Sequence, residues 1–331
     1  MTPSFHLFRG SGPLSASHLT RNGDDPLRDP AGYIASKELA QAVNVALAIG
    51  RPLLVTGEPG TGKTELAYRI AAEISDGEVL RFDTKSSSQA VDLFYQFDSV
   101  GQFAQVQLDV ARKLEPSPAI QFLRIQAFGK AILRTLPPET VRRTFGLDEG
   151  SAEPRRSVVL VDELDKAPRD FPNDLLNQIA NLEFSIPEIR CDTPVKANRE
   201  FAPFVLITSN SEKQLPDAFL RRCVYHHIEF PRDRAQLARI LGGRLGGLSL
   251  NGPVLEPLMD WFLEAREKLS LEKRPSTSEL LDWMRALGRA GLGSESNLKD
   301  APSKELVRQT LGCLFKTQRD LESGSGHWER R

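Results

Sequence analysis

PLLVTGEPGTGKTELAYRIAAEI, Pro52 to Ile74, decides how this chain is read. PLLV forms a short apolar strand. Leu66, Ala67, Ile70, Ala71 and Ile74 recur at helical spacing and make one face of a helix. Between them, GEPGTGKT satisfies the pattern GxxxxGK[ST] with the strand before it and the helix after it that the pattern requires. Glycines there let successive backbone N–H groups turn toward one point, where the helix N-terminus adds positive potential for a phosphate. The predicted cradle comprises Gly57, Glu58, Pro59, Gly60, Thr61, Gly62, Lys63, Thr64 and Glu65. Lys63 is expected to reach the β- and γ-phosphates, and the Thr64 hydroxyl to hold Mg²⁺. The predicted cofactors are ATP and Mg²⁺.

Working outward, SVVLVDELDKAP (Ser157 to Pro168) is an apolar strand ending in two acids. A parallel strand beside the first would carry Asp162 to the metal shell. Glu163 would then face the water in line with the γ-phosphate and act as general base. A buried strand that simply ends in charge is the plainer alternative. FVLITSN ends in Asn210, a polar side chain at the carboxyl edge of a strand that can orient the attacking water. No NKxD segment appears, which disfavours a guanine nucleotide.

Five short apolar runs, PLLVTG, VLRFDT, VVLVDE, FVLITSN and VYHHIEF, alternate with helical patterns or long segments. That alternation predicts an α/β fold with a mainly parallel sheet covered on both faces. KELAQAVNVALAIG is a helix stopped by Gly50. After Pro231 no strand signal remains, and Leu258, Phe262, Leu280, Met284 and Leu287 recur at helical spacing. The expected domains are an irregular arm over 1–30, an α/β nucleotide-binding domain over 31–232 and a helical domain over 233–331. The final ESGSGHWERR is expected to fray, and Trp261 and Trp283 to be core. His226 and His227, adjacent in a strand, point to opposite faces and cannot share a metal.

The chain has 331 residues, 40% hydrophobic and 26% charged, with net charge −1. That balance argues against a nucleic-acid partner, which usually meets a basic face. Cys191, Cys223 and Cys313 are scattered and odd in number, so a reducing compartment is expected, without disulfides or zinc. No apolar run approaches the roughly 20 residues of a membrane helix, and MTPSFHLFRGSG lacks the apolar core of a signal peptide. The expectation is a cytoplasmic protein with no membrane partner.

In order and spacing, GEPGTGKT, VVLVDELDKAP with the amphipathic PNDLLNQIANLEF, ITSN and LPDAFLRRC resemble the AAA+ ATPases, and within them the MoxR group. The resemblance implies a P-loop AAA+ core with a five-stranded sheet flanked by helices, plus a small all-helical C-terminal lid domain. It implies adenine packed near Tyr33 and Ile34 in GYIAS, and a homo-oligomeric ring, a hexamer in this family. Arg222 matches the arginine finger, and Arg221 is its neighbour. Such a residue completes the site of the next protomer and is worth roughly 10³–10⁵ in rate in other P-loop enzymes. A solvated helix end is the alternative for this pair. MoxR relatives further imply a partner with a von Willebrand factor A-type domain.

Two departures qualify the resemblance. Glu279 stands where a lid arginine is expected, and Ser276-x-x-Glu279 reads as a capping box, with Arg274 a possible substitute. Residues 86–156 form an insertion where a simple crossover needs one helix; it is dense in aromatics (Phe94, Tyr95, Phe97, Phe103) and contains the helical-looking AIQFLRIQAFGKAILRTL. FSIPEIRCDTPVKANREF reads as a hairpin. Thr84, ending the second strand, could tether Glu163 when the ring is idle. The leading function is an ATPase that remodels or activates a protein, chaperone-like. The alternatives are a slow nucleotide switch or scaffold and, against the charge, a nucleic-acid motor.

Overall fold

A computed structural model describes residues 9–12, 29–146, 153–189, 191–210, 215–245 and 252–330. Most of the expected N-terminal arm lies outside the described residues. In chain order, the first half contains α1 (Lys37–Ile49), β1 (Leu53–Gly57), α2 (Lys63–Ile74), β2 (Val79–Asp83), β3 (Tyr95–Phe97), α3 (Ser99–Arg112), β4 (Leu123–Ile125), α4 (Ala127–Leu133) and α5 (Pro138–Phe145). Then come β5 (Val158–Asp162), α6 (Phe171–Asn181), β6 (Glu183–Ile186), β7 (Cys191–Lys196), β8 (Phe204–Ser209), α7 (Asp217–Leu220) and β9 (Val224–Ile228). Among the described residues five α-helices follow: α8 (Arg234–Arg244), α9 (Gly252–Lys268), α10 (Thr277–Arg289), α11 (Ala301–Thr310) and α12 (Gln318–Glu329).

The five predicted strands form one sheet in the order β2-β5-β8-β1-β9. β2 pairs with β5, β5 with β8 and β8 with β1, all parallel. Burial follows that order. Every residue of β1, β5 and β8 is buried, as a continuous Val/Ile/Leu run covered on both faces requires. The edge strands β2 and β9 instead alternate between more and less buried positions. α1 starts at Ser36, whose hydroxyl accepts from the Leu39 N–H, and stops at Gly50 in the left-handed region, φ 62°.

Two compact units emerge. One comprises the described residues of Ser36–Thr56 and Leu66–His227 with residues 9–12. The other comprises Gly57–Glu65, residues 29–35 and the described chain from Ile228 onward. In the first, the insertion is folded around an antiparallel pair of strands, β3 and β4, with Gln96 opposite Arg124 and α3 in the connection between them. AIQFLRIQAFGKAILRTL is therefore not one helix. Leu123 and Ile125 alternate with exposed Arg124 as a strand, Gln126 is extended, and only Ala127–Leu133 is α-helical. Phe94 and Tyr95 are buried and Phe97 half-buried, whereas Phe103 on α3 stands 68% exposed. The predicted hairpin FSIPEIRCDTPVKANREF is β6–β7.

The second unit holds its own apolar core, centred on Trp261 and Trp283 with ring centroids 5.5 Å apart. Its final helix corrects the expectation of a frayed tail. Trp328 of α12 is buried edge-on to Trp261 at 5.4 Å, and a Cβ at Gly324 would meet the Phe315 ring at 2.1 Å. The glycine is what permits that close approach.

Candidate nucleotide site

In the first unit, the carboxyl ends of three strands lie side by side. Thr208 of β8 is the register partner of Val55 of β1, and its hydroxyl donates to Asp162 Oδ1 of β5 at 2.5 Å. The same oxygen accepts the Glu163 N–H at 2.9 Å. Asp162 is buried, and its Oδ2 lies 3.0 Å from Arg81 Nη2. Thr208 thus fixes both members of the acid pair, a role no sequence signal suggested. Glu163 adopts φ 57°, the left-handed region that costs a residue with a Cβ about 1 kcal/mol or more. That turn leads the chain away from the strand and leaves the Glu163 side chain about half exposed.

The Glu163 carboxylate pairs with Lys166, whose ammonium is held above the ordinary lysine range by that hydrogen bond. The expected tether from Thr84 is absent. Its N–H donates to the Asp162 carbonyl, and its buried hydroxyl makes no hydrogen bond. Asn210 follows β8, and its position has a cause: Asp165 accepts its backbone N–H at 2.9 Å and its side-chain Nδ2 at 3.5 Å, along with the Ser209 hydroxyl at 3.2 Å. Asp165, three residues beyond Asp162, is a positioning residue missed in the sequence.

The phosphate loop belongs to the second unit. Gly57, Gly60 and Gly62 have φ 154°, 73° and 86°, and the last two values suit glycine alone at little cost. Thr61 donates through Oγ1 to the Glu58 carbonyl at 2.8 Å. Lys63 is buried, with Nζ 2.9 Å from both the Gly57 and Glu58 carbonyls. Its ammonium therefore lies over the loop that phosphates would fill. Thr64 and Glu65 open α2, half-buried. Pro59 completes the turn.

Two more segments of this unit close on the loop. A Cβ at Gly62 would meet the Tyr33 ring at 3.2 Å. Tyr33 is buried, its phenol pushed well above the ordinary range by burial and then by the Glu65 carboxylate. The Arg244 guanidinium lies 6.0 Å from its ring centroid, while Ile34 beside it is half-buried. From the other side, Ser278 donates to the Gly60 carbonyl through its N–H at 3.2 Å and its hydroxyl at 3.1 Å. Ser276 and Glu279 form the expected capping box, and Arg274 is exposed.

Arg221 and Arg222 sit at the opposite end of the first unit's sheet. The Val224 N–H donates to the Pro52 carbonyl, so this pair lies where β1 begins, whereas Asp162 and Asn210 lie where their strands end. Five residues of strand separate the two ends, roughly 16 Å. Arg222 is exposed, with Nη1 3.0 Å from Asn177 Oδ1, and Arg221 receives Arg51 on its carbonyl. His226 and His227 diverge as expected: His227 Nδ1 is 2.9 Å from Thr56 Oγ1, and burial holds His226 below the ordinary histidine range.

Residues 52–223, more than half of the chain, match the family model described as the AAA domain of the dynein-related subfamily. No curated protein matches the chain. Among solved structures it is similar to the Thermotoga maritima RuvB Holliday junction branch migration motor, with 14% identity and TM-score 0.44, over 83% of this chain and 67% of that one. The T158V form of the same RuvB gives 14% and 0.43, over 83% and 67%. Brucella abortus NtrX in complex with ATP gives 13% and 0.43, over 78% of this chain and 52% of NtrX. The chain belongs to the dynein-related subfamily of AAA domains and is an ATPase.

Proposed function

We propose that this ATPase works as a MoxR-like ring, binding Mg-ATP between subunits and using hydrolysis to remodel or activate a protein partner. The observation that carries this reading is the separation of Arg222 from its own acid pair by the length of the sheet. A guanidinium at the starting end of β1 serves no phosphate of its own chain, and a head-to-tail neighbour is where it becomes useful. Lys63 and the loop N–H groups hold the triphosphate, and Thr64 and Asp162 supply the hard oxygen donors that suit Mg²⁺. Glu163 takes the proton of the attacking water, which Asn210 orients. Tyr33 and Ile34 pack the adenine. Residues 31–232 act as the nucleotide-binding domain and 233–331 as its lid. A hexamer, a von Willebrand factor A-type partner and a cytoplasmic setting complete the proposal.

Glu163→Gln keeps the acid's shape but removes its basicity, so nucleotide stays bound. Its particle mass, measured by light scattering with and without ATP, is expected to rise to that of a closed ring when ATP is added. A lone chain under both conditions would refute the ring. One observation favours a second reading, a slow nucleotide switch: the Glu163 carboxylate is engaged by Lys166. Rapid, partner-stimulated turnover supports the remodelling motor, and tight nucleotide retention supports the switch.

A further inference from the structure

The second unit contains a buried arginine aimed at the phosphate loop, and it is not one of the lid candidates read from the sequence. Arg266 of α9 is 8% exposed. Its guanidinium lies 3.8 Å above the Phe230 ring, and Nη1 donates to the Pro275 carbonyl at 2.5 Å. Nη2 pairs with the carboxylate of Glu58. Pro275 directly precedes the cap of α10, the helix whose Ser278 grips Gly60. One guanidinium therefore ties together α9, the start of α10 and the loop.

Glu58 carries the only carboxylate between Gly57 and Thr64. Its backbone carbonyl is also a partner of Lys63 and Thr61. An anionic side chain in a loop built for a triphosphate is an electrostatic conflict, reduced but not abolished by solvent because the Glu58 carboxylate is about half exposed. The ring face under the guanidinium and the Pro275 carbonyl both stabilise a cation at this point.

We propose that Arg266 is the residue through which the lid supports triphosphate binding. It does so by neutralising Glu58, the acidic side chain of the loop. This rests on the phosphate-loop reading above and goes beyond it, since it assigns the lid's contribution to a side chain that acts through the loop, while the start of α10 offers serines in place of a cation.

The test is calorimetric titration of Mg-ATP and Mg-ADP into variants made in the Glu163→Gln background, which prevents turnover. Arg266→Ala is expected to weaken ATP binding at least tenfold and ADP binding less, since the uncompensated carboxylate meets more negative charge in ATP. Arg266→Lys should fall between the two. Adding Glu58→Gln to Arg266→Ala should restore most of the affinity, because no charge remains to neutralise. A purely structural role for Arg266 would not be repaired that way. The inference is overturned if Arg266→Ala binds ATP within twofold of its parent, or if the double variant is as weak as Arg266→Ala. Should Arg266→Ala fail to fold, Arg266→Lys and Glu58→Gln alone decide. Glu58→Gln must bind ATP at least as tightly as its parent, and a tenfold loss there contradicts the charge argument. Lys63→Ala is the separate control: if it retains ATP, the phosphate-loop reading fails whatever Arg266 does.

Discussion

Thr208 joins the two acids to which the proposed mechanism assigns metal binding and proton abstraction. Its one oxygen donates to Asp162 and accepts from the backbone of Glu163 at the point where the chain enters its left-handed turn. Thr208→Val is nearly isosteric and removes both bonds. It should destabilise the protein by about 1–3 kcal/mol, the cost of leaving a buried donor and a buried acceptor unpaired. Because Glu163 loses its anchor, turnover should drop at least tenfold with little change in ATP affinity. Thr208→Ser should keep most of both properties. Steady-state ATPase rates and a melting curve on the same samples check this, and normal turnover in Thr208→Val would show that Glu163 is positioned by other contacts.

Residue by residue, local motifs were legible and long-range partners were not. Gly57, Lys63, Thr64, Asp162 and Glu163 announce themselves because loop, strand end and acid must be contiguous in sequence to do their chemistry. Glu58 is inside that motif, but its partner Arg266 lies 208 residues away and carries no motif. Asp165 could have been found as the acid one turn beyond a strand end. Thr208 sits inside an apolar run and offers no such clue.

At the scale of elements, β1, β5 and β8 were readable as uninterrupted apolar runs, since strands buried on both faces leave no room for alternation. Two segments misled for opposite reasons. Leu123–Ile125 carries apolar residues compatible with either period over so short a stretch, and pairing with Tyr95–Phe97 settles it as a strand. Gln318–Glu329 is too polar and too rich in glycine and serine to announce a helix. Tertiary contacts hold it instead, chiefly Trp328 against Trp261 and the carboxylate of Asp320.

Asp320 makes α12 a pH-dependent element. It is fully buried, and burial alone would raise its carboxyl; the N–H groups of Glu272 and Lys273, at 2.9 and 3.0 Å, outweigh that and hold it below the ordinary aspartate range. The unfolded chain then binds the proton more readily than the folded one. The stabilisation is present above about pH 4, the unfolded aspartate value, and is lost as pH falls through the lower folded value. Asp320→Asn should lower stability at pH 7 by about 1.5–3 kcal/mol, the range for hydrogen bonds to a charged group, and flatten the acid limb of the melting profile. An unchanged acid limb would mean that other carboxylates set it.

At the scale of the molecule, the match over residues 52–223 places the chain among AAA domains, and the sheet carries its acid pair and its arginine pair at opposite ends. A sequence can show that Arg222 follows a short helix, but not at which end of the sheet it sits; that requires the strand order and the bond from Val224 to Pro52. The proposal of a site completed by a neighbour rests on this placement. It is tested most directly by mixing two variants that are each inactive, Arg222→Ala and Glu163→Gln, in equal amounts after confirming that they co-assemble. Random mixing puts an intact acid and an intact arginine together at about one interface in four, so turnover should recover to about a quarter of wild type. Full silence of the verified mixed assembly, or normal ATPase activity from Arg222→Ala alone, would contradict the account.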